Sequence, residues 1–474
     1  MEEHELHTPG QQSMMSRWHD HSCTNPHVLA TRQGSETEII CEICGARPPV
    51  DNCVPAQPSY DFAVNDPTDV PPTKRNLRWP DFLPWATRKD DDISDGSALA
   101  QRPWGSGKDG SEQDTTRRID TSSTIYPVRL TRSEFRLACL TASTDEESAP
   151  HLTLETYTDN NFPDYEAVSY TWGGEAGDSS LCRRIYIGPY WDILHQTENR
   201  WHMLRFLRPR RGIRLVWVDA LCINQQDLVE RGDQVSKMEQ IYRECQRTIL
   251  YLGPDVSPLL GDRFPRHREL DQIDKDSLTQ MLRRRYFSRI WVVQELLLSS
   301  SVVIRFGDIE HRVRHPTMER LQKSLRSWKW GDSPAPWLEH MTQGAIRTQD
   351  LCYPLHLTAN SQCSDPRDRL FEVLSFIDQS DSSLSHRADY SISLQDMWIG
   401  FLAHCLMNSS TNWFIHRAIG LSAARNLPSW VPDWVSTNNW NLFRLPPNLN
   451  KSVENAFDIV RKSRKIPKEY NIAK

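Results

Sequence analysis

Four residues near the N-terminus have the types and the spacing to hold a metal ion. Cys23-x3-His27 is followed, thirteen residues on, by Cys41-Glu-Ile-Cys44-Gly45. Two such pairs are the ligand pattern of a structural zinc site. A Cys-x2-Cys-Gly turn points two thiolates at one ion, and the glycine relieves its tight backbone. His21 is an alternative to His27 as the fourth ligand, and two unrelated pairs in an unfolded arm are the competing reading. A second set lies further on: Ser169-Tyr-Thr-Trp172-Gly173-Gly, then Asp219 and Asn224, then Trp291 and Glu295, which at i and i+4 share one side of a helix. There is no GxxxxGK[ST] loop and no GxGxxG after a strand, and HExxH and GxSxG are also absent. Nucleotide-triphosphate, dehydrogenase, metalloprotease and esterase chemistries are therefore not indicated.

The elements that must position these residues separate by composition along the 474-residue chain. Counted with glycine and without tyrosine, the apolar share is about 39%, below the roughly 45–50% of an average globular chain. The deficit concentrates early: ten prolines fall between Pro48 and Pro103, followed by a Gly/Ser/Asp-rich stretch. Residues 53–123 read as a mostly disordered linker, since so polar a segment cannot recover the entropy of ordering. Within it, the island Leu77-Arg-Trp-Pro-Asp-Phe-Leu-Pro-Trp85 is either a docking segment or a sticky coil. Residues 18–52 read as a metal-binding, zinc-ribbon-like segment.

Between 124 and 310 the pattern is dense. Tyr165–Tyr170, Arg184–Gly188, Ile213–Asp219, Thr248–Leu252 and Val302–Phe306 read as strands, rich in β-branched and aromatic residues. Thr197–Leu207, Glu230–Cys245 and Ser288–Leu298 carry helical spacing. Strands alternating with helices predict an α/β domain with a parallel sheet flanked by helices. In such a sheet, ligands bind outside the carboxyl ends of the strands, where strand order reverses. The loops Tyr170–Gly174, Asp219–Asn224 and Gly253-Pro254 fall there. From 311 to 474 the reading is mainly helical, with Asp365-Pro366 opening one helix.

Net charge is −6, which argues against a dedicated nucleic-acid binder. The acidic start has no apolar leader, the longest apolar runs are too short to span a bilayer, and the eleven cysteines read as thiols and metal ligands rather than a disulfide framework. A cytoplasmic protein is expected, with the basic cluster 461–465 as an alternative nuclear-import signal.

Several blocks resemble one family. Tyr165-Glu-Ala-Val-Ser-Tyr-Thr-Trp-Gly173, Val216-Trp-Val-Asp-Ala-Leu-Cys-Ile-Asn-Gln225 with Asp227, Glu230, Arg231 and Gln234, and Arg289-Ile-Trp-Val-Val-Gln-Glu295 are similar to the successive signatures of fungal heterokaryon-incompatibility (HET) domains. Ser364-Asp-Pro-Arg-Asp368, Asp389-Tyr390 and Leu427-Pro-Ser-Trp-Val-Pro-Asp-Trp434 resemble segments that commonly follow. The resemblance implies a role in non-self recognition that ends in cell death, alongside a protein partner of the sensing system and with self-association.

HET domains are distantly similar to Toll/interleukin-1 receptor (TIR) domains, which implies a flavodoxin-like fold. Some TIR domains hydrolyse NAD⁺ with a Glu in a Trp-x-x-x-Glu setting. Trp291 and Glu295 stand in that place. The resemblance thus implies Glu295 as the catalytic carboxylate, with Ser169, Tyr170, Trp172, Gly173, Asp219, Asn224 and Trp291 lining a site for NAD⁺. The alternatives are that Glu295 pairs with Arg289, that Trp172 is merely packed, that Asp219 caps its turn, and that the domain signals by recruitment without catalysis. Trp217 and Cys222 are expected in the core, and Asp227 and Glu230 at a helix start. Arg205, Arg208, Arg210, Arg211 and Arg214 read as a solvated connection or a phosphate site.

Overall fold

The computed structural model describes residues 15–20, 22–33, 36–49, 80, 125–260, 264–325, 328–330, 333–343, 352–358, 360–363, 365–375 and 392–408. The expected linker 53–123 lies outside these residues except for Pro80, as do His21 and segments 389–390, 427–434 and 461–465.

The chain opens with β1 (Met15–Ser16), β2 (Val28–Gln33) and β3 (Glu36–Cys41). Then come β4 (Glu134–Thr141), β5 (His151–Thr158), β6 (Glu166–Tyr170), β7 (Arg183–Ile187) and β8 (Asp192–Gln196). They are followed by α1 (Glu198–Leu207), β9 (Ile213–Trp217), α2 (Asp219–Cys222), α3 (Leu228–Glu244) and β10 (Arg247–Tyr251). Next are β11 (Arg266–Glu269), α4 (Lys275–Leu282), α5 (Trp291–Leu298), β12 (Ser301–Phe306), β13 (Ile309–Arg314) and α6 (His315–Ser324). The helices α7 (Cys352–Leu357), α8 (Asp368–Ser375) and α9 (Leu394–Asn408) complete the described elements.

The fold is α/β, built on one 11-stranded sheet of order β1-β8-β7-β5-β4-β9-β6-β10-β12-β13-β11. Its centre, β9-β6-β10-β12, is parallel. In chain order these four strands stand second, first, third, fourth, so the order reverses at β6. The sheet is mixed rather than parallel throughout, which corrects the sequence expectation. β4 pairs antiparallel with both β5 and β9, and β12 with β13. The β12–β13 connection turns at Gly307 (φ +63°), and so short a link permits only an antiparallel pair. β13 also crosses the expected boundary at 310/311, so the α/β unit extends past it.

Burial explains the order. All five residues of β6 are buried, as expected for a central parallel strand covered on both faces. On α5, Val292, Val293, Leu296, Leu297 and Leu298 are 2% exposed or less, and Gln294 and Glu295 are buried with them, so the helix runs through the core. Each such apolar side chain contributes about 1.5–3 kcal/mol on burial. Trp217 and Cys222 are fully buried in this core. Thr197 caps α1 and Asp227 caps α3, accepting Val229 and Glu230 amides. Four arginines of the Arg205–Arg214 stretch are engaged, Arg210 through Glu146 at 3.6 Å. Arg205 meets Glu147 at 2.7 Å, Arg208 bonds the Asp145 and Ser148 carbonyls, and Arg214 pairs with Glu166. Cys182 departs from the expectation of free thiols, being disulfide-bonded. Pro80, in the Leu77–Trp85 island, lies against Gly400 of α9.

β2 and β3 form a separate antiparallel hairpin. A second, small core joins it to the sheet through Trp18, Cys23, Ile39, Cys41, Tyr186 and Ile193. Among the described residues no helix is long and apolar enough to cross a membrane.

Candidate functional site

β6 presents two consecutive polar side chains at its carboxyl end, and in an extended strand neighbours leave opposite faces. The Ser169 hydroxyl donates to the Glu295 carboxylate on α5 and is also hydrogen-bonded to the Tyr286 hydroxyl. The Tyr170 hydroxyl donates to Asp219 Oδ1 at 2.7 Å, and Trp172 Nε1 donates to Asp219 Oδ2 at 3.1 Å. Trp172 is the exposed aromatic of the group, 37% accessible, with the Arg200 guanidinium 5.0 Å from its ring centre.

The loop after β6 is held by its carbonyls. Asn199 Nδ2 donates to Thr171 O at 2.5 Å and Thr197 Oγ1 to Trp172 O at 2.6 Å. Arg289 Nη1 donates to Tyr170 O rather than to Glu295. Gly173 is required by close approach: a Cβ there would meet the Gly177 carbonyl carbon at 2.6 Å. Arg284 pairs with Asp255 at 2.6 Å and Glu175 at 3.1 Å, closing the rim from the β10 side.

Glu295 is 4% exposed, Ser169 and Tyr286 1% each. Burial pushes the Glu295 carboxyl up to about 8, with Asp219 adding repulsion, while Arg289 and the Ser169 hydroxyl pull the other way. The acid is thus held mostly protonated at neutral pH, in contact with the strand end. A second buried carboxyl, Glu372 on α8, accepts the Gln294 amide at 3.1 Å and is likewise raised by burial. Asp368 accepts Trp291 Nε1 at 3.0 Å. α8 therefore fixes α5, and with it Glu295.

The structure brings together Ser169, Glu295, Tyr170, Trp172, Gly173 and Asp219 around the end of β6. Trp291 is tied to α8 instead of joining them. Asn224 is buried and serves its own turn, its Oδ1 accepting the Gln226 amide at 3.2 Å. Cys222 is fully buried, and burial pushes its thiol up to about 12, away from the thiolate form that nucleophilic attack requires.

Sequence reasoning missed Tyr286 and Glu372. It also read Glu230 as a helix-start charge. Glu230 does stand in the first turn of α3, but it is also buried in an ion pair 2.6 Å from Arg136 and accepts the Asn224 amide at 2.8 Å, and so pins the loop carrying Asp219. The signal available was Arg136 itself, a charge interrupting the apolar strand β4.

At the N-terminal segment, His19, Cys23, Cys41 and Cys44 bring one donor atom each within 4.8 Å of one another. Three of the four expected ligands are here, with His19 in place of His27. His27 is exposed and pairs with Glu42 at 2.7 Å. Cys41 ends β3, and Gly45 takes φ +69° in the turn after Cys44, the left-handed geometry that glycine allows.

Comparison with known proteins places these features. Residues 165–295 match the family model described as heterokaryon incompatibility protein (HET), a span running from the start of β6 to Glu295. The chain is similar to heterokaryon incompatibility protein 6, OR allele, of Neurospora crassa. The two are 24% identical over 366 residues, covering 57% of this chain and 53% of the relative. The chain thus spans about half the length of the curated relative it matches. No solved structure matches. Residues 165–295 thus carry the match to the HET family, and over a longer stretch the chain is similar to a heterokaryon incompatibility protein.

Proposed function

We propose that this protein is a cytoplasmic effector of fungal heterokaryon incompatibility that triggers regulated cell death, and that it does so by hydrolysing the N-glycosidic bond of NAD⁺ at the carboxyl end of β6. The carrying observation is the buried Glu295 carboxyl, bonded to Ser169 directly beneath the loop where strand order reverses. The order of β9, β6, β10 and β12 supports the TIR-like, flavodoxin-like reading of the domain.

In the reaction, water adds to C1′ of the nicotinamide ribose while the C1′–N1 bond breaks. The bond's electron pair neutralises the pyridinium as nicotinamide leaves, water gives up a proton, and ADP-ribose forms. The transition state is oxocarbenium-like, as in glycoside hydrolysis. A carboxylate beside the ribose stabilises that charge. The substrate's own pyridinium charge favours ionisation of Glu295 by bringing a cation into a dry site. Trp172 offers an aromatic face at the rim, and Asp219 holds it through Nε1.

The near-complete burial of Glu295 favours a second reading, in which the domain acts by self-association and recruitment of a partner from the sensing system. The two separate on nicotinamide release by the full chain and its Glu295→Gln variant, measured at high protein concentration. Turnover lost in a folded variant supports the enzyme; no turnover in either, with a crowding agent forcing assembly, supports recruitment.

A further inference from the structure

We propose that His19, Cys23, Cys41 and Cys44 bind one structural zinc ion, and that this ion clips the N-terminal hairpin onto the β7–β8 edge of the main sheet. The distances suit an ion between the four donors. Cys23 Sγ and Cys41 Sγ are 3.9 Å apart, and His19 Nδ1 and Cys44 Sγ 3.7 Å. A tetrahedral site with Zn–S near 2.3 Å has edges of about 3.8 Å. A disulfide would bring its sulfurs to about 2.05 Å.

The histidine is oriented for the task. His19 Nε2 lies 2.6 Å from the Tyr190 carbonyl. A carbonyl only accepts, so Nε2 carries the proton and the Nδ1 lone pair faces the sulfurs. An outer partner that fixes the tautomer in this way is the usual support of a metal-ligating histidine. Three thiolates and an imidazole are soft donors that suit zinc and not magnesium or calcium. Four protein ligands fill the tetrahedron, so the site is structural.

The ligands come from two segments. His19 and Cys23 stand on the arm after β1, and Cys41 and Cys44 on the end of the β2–β3 hairpin, so one ion joins both. The arm is in turn bonded to the sheet edge. β1 pairs with β8, Trp18 Nε1 donates to Trp191 O at 2.7 Å, and Tyr190 donates its hydroxyl to Thr24 O at 2.9 Å. Arg17 meets Asp192 at 3.1 Å and covers the Tyr190 ring. Trp191 holds φ +52°, a costly conformation for a bulky side chain that persists only where its surroundings fix it. The docked arm supplies that fixing, and it covers an edge strand that would otherwise be open to pairing.

The test is elemental analysis of the full chain, purified under reducing conditions without added metal, beside His19→Ala, Cys41→Ser and His27→Ala variants. The expected result is one zinc per chain, retained in His27→Ala and lost in the other two. Because a variant that fails to fold would also lose zinc, the wild-type chain is in addition stripped by a chelator and refilled with Co²⁺, which should produce the visible spectrum of tetrahedral thiolate-bound cobalt. Chelation should speed hydrogen exchange at residues 190–194 and open 15–49 to protease while β6 and β10 stay protected. Absence of zinc, a Cys23–Cys41 disulfide, or zinc that depends on His27 instead of His19 would overturn the site. Unchanged exchange at 190–194 after chelation would overturn the clip.

Discussion

The two polar clusters of this protein hold their groups in place by opposite means. Around Glu295 the geometry is imposed by a large apolar core: β6 is buried along its whole length, α5 is buried from Val292 to Leu298, and α8 clamps it through Asp368 and Glu372. Around His19 the apolar support is slight, a six-residue core shared with the sheet edge, and the proposed ion supplies the rest. The first cluster is a carboxyl kept out of water by packing that exists without it. The second is a fold that its own ligands help to create. Substitutions should therefore spread globally from the first and stay local in the second.

The largest expected effect is at the support of the first cluster. Glu230→Ala strands the buried Arg136 charge and should lower global stability by about 3–5 kcal/mol, read by denaturant unfolding, with zinc content unchanged. Cys41→Ser should do the reverse, abolishing metal binding and the protection of residues 15–49 while the main unfolding transition barely moves. Gly173→Ala places a Cβ against the Gly177 and Asp178 backbone. It should cost about 1–3 kcal/mol and abolish nicotinamide release.

Glu295→Gln sharpens the comparison through pH. The folded carboxyl ionises near 8 against an ordinary 4.5, so the folded protein keeps a proton that the unfolded chain gives up. Its contribution to stability is full below the ordinary value and is lost as pH rises towards 8. The variant lacks this loss, so its thermal midpoint should gain on wild type steadily across that interval. Catalysis by the carboxylate should rise over the same interval. The smallest effect belongs to His27→Ala: its ion pair with Glu42 is exposed and should contribute less than about 1 kcal/mol, as thermal denaturation will read.

What was legible in the sequence follows the same division. β6, β9, β10, β12, α1, α3 and α5 are readable because central elements of a buried sheet are written in continuous apolar runs and helical stripes. β4 is obscured by Arg136, whose charge is met by Glu230, far away in sequence. β13 alternates polar residues with His311 and Val313 and does not look like core, although both are buried. Its pairing with β12 follows from a tight turn. Cys23, Cys41 and Cys44 were legible as local spacing. The choice of His19 over His27 was not, because it is made by β1 pairing with β8, a contact between residues some 175 positions apart. Glu372 was hidden for the same reason: nothing local marks the residue that caps α5 from another helix.

The most direct test of the account is nicotinamide release from NAD⁺ by the full chain at high concentration, beside Glu295→Gln with its fold verified by circular dichroism. The account predicts turnover by the wild type, rising with pH towards about 8 as the carboxyl ionises, and none by the variant. Equal turnover in both proteins would remove Glu295 from the chemistry. No turnover in either, in assembled protein, would contradict the enzymatic reading and leave the buried carboxyl as part of a recruiting scaffold.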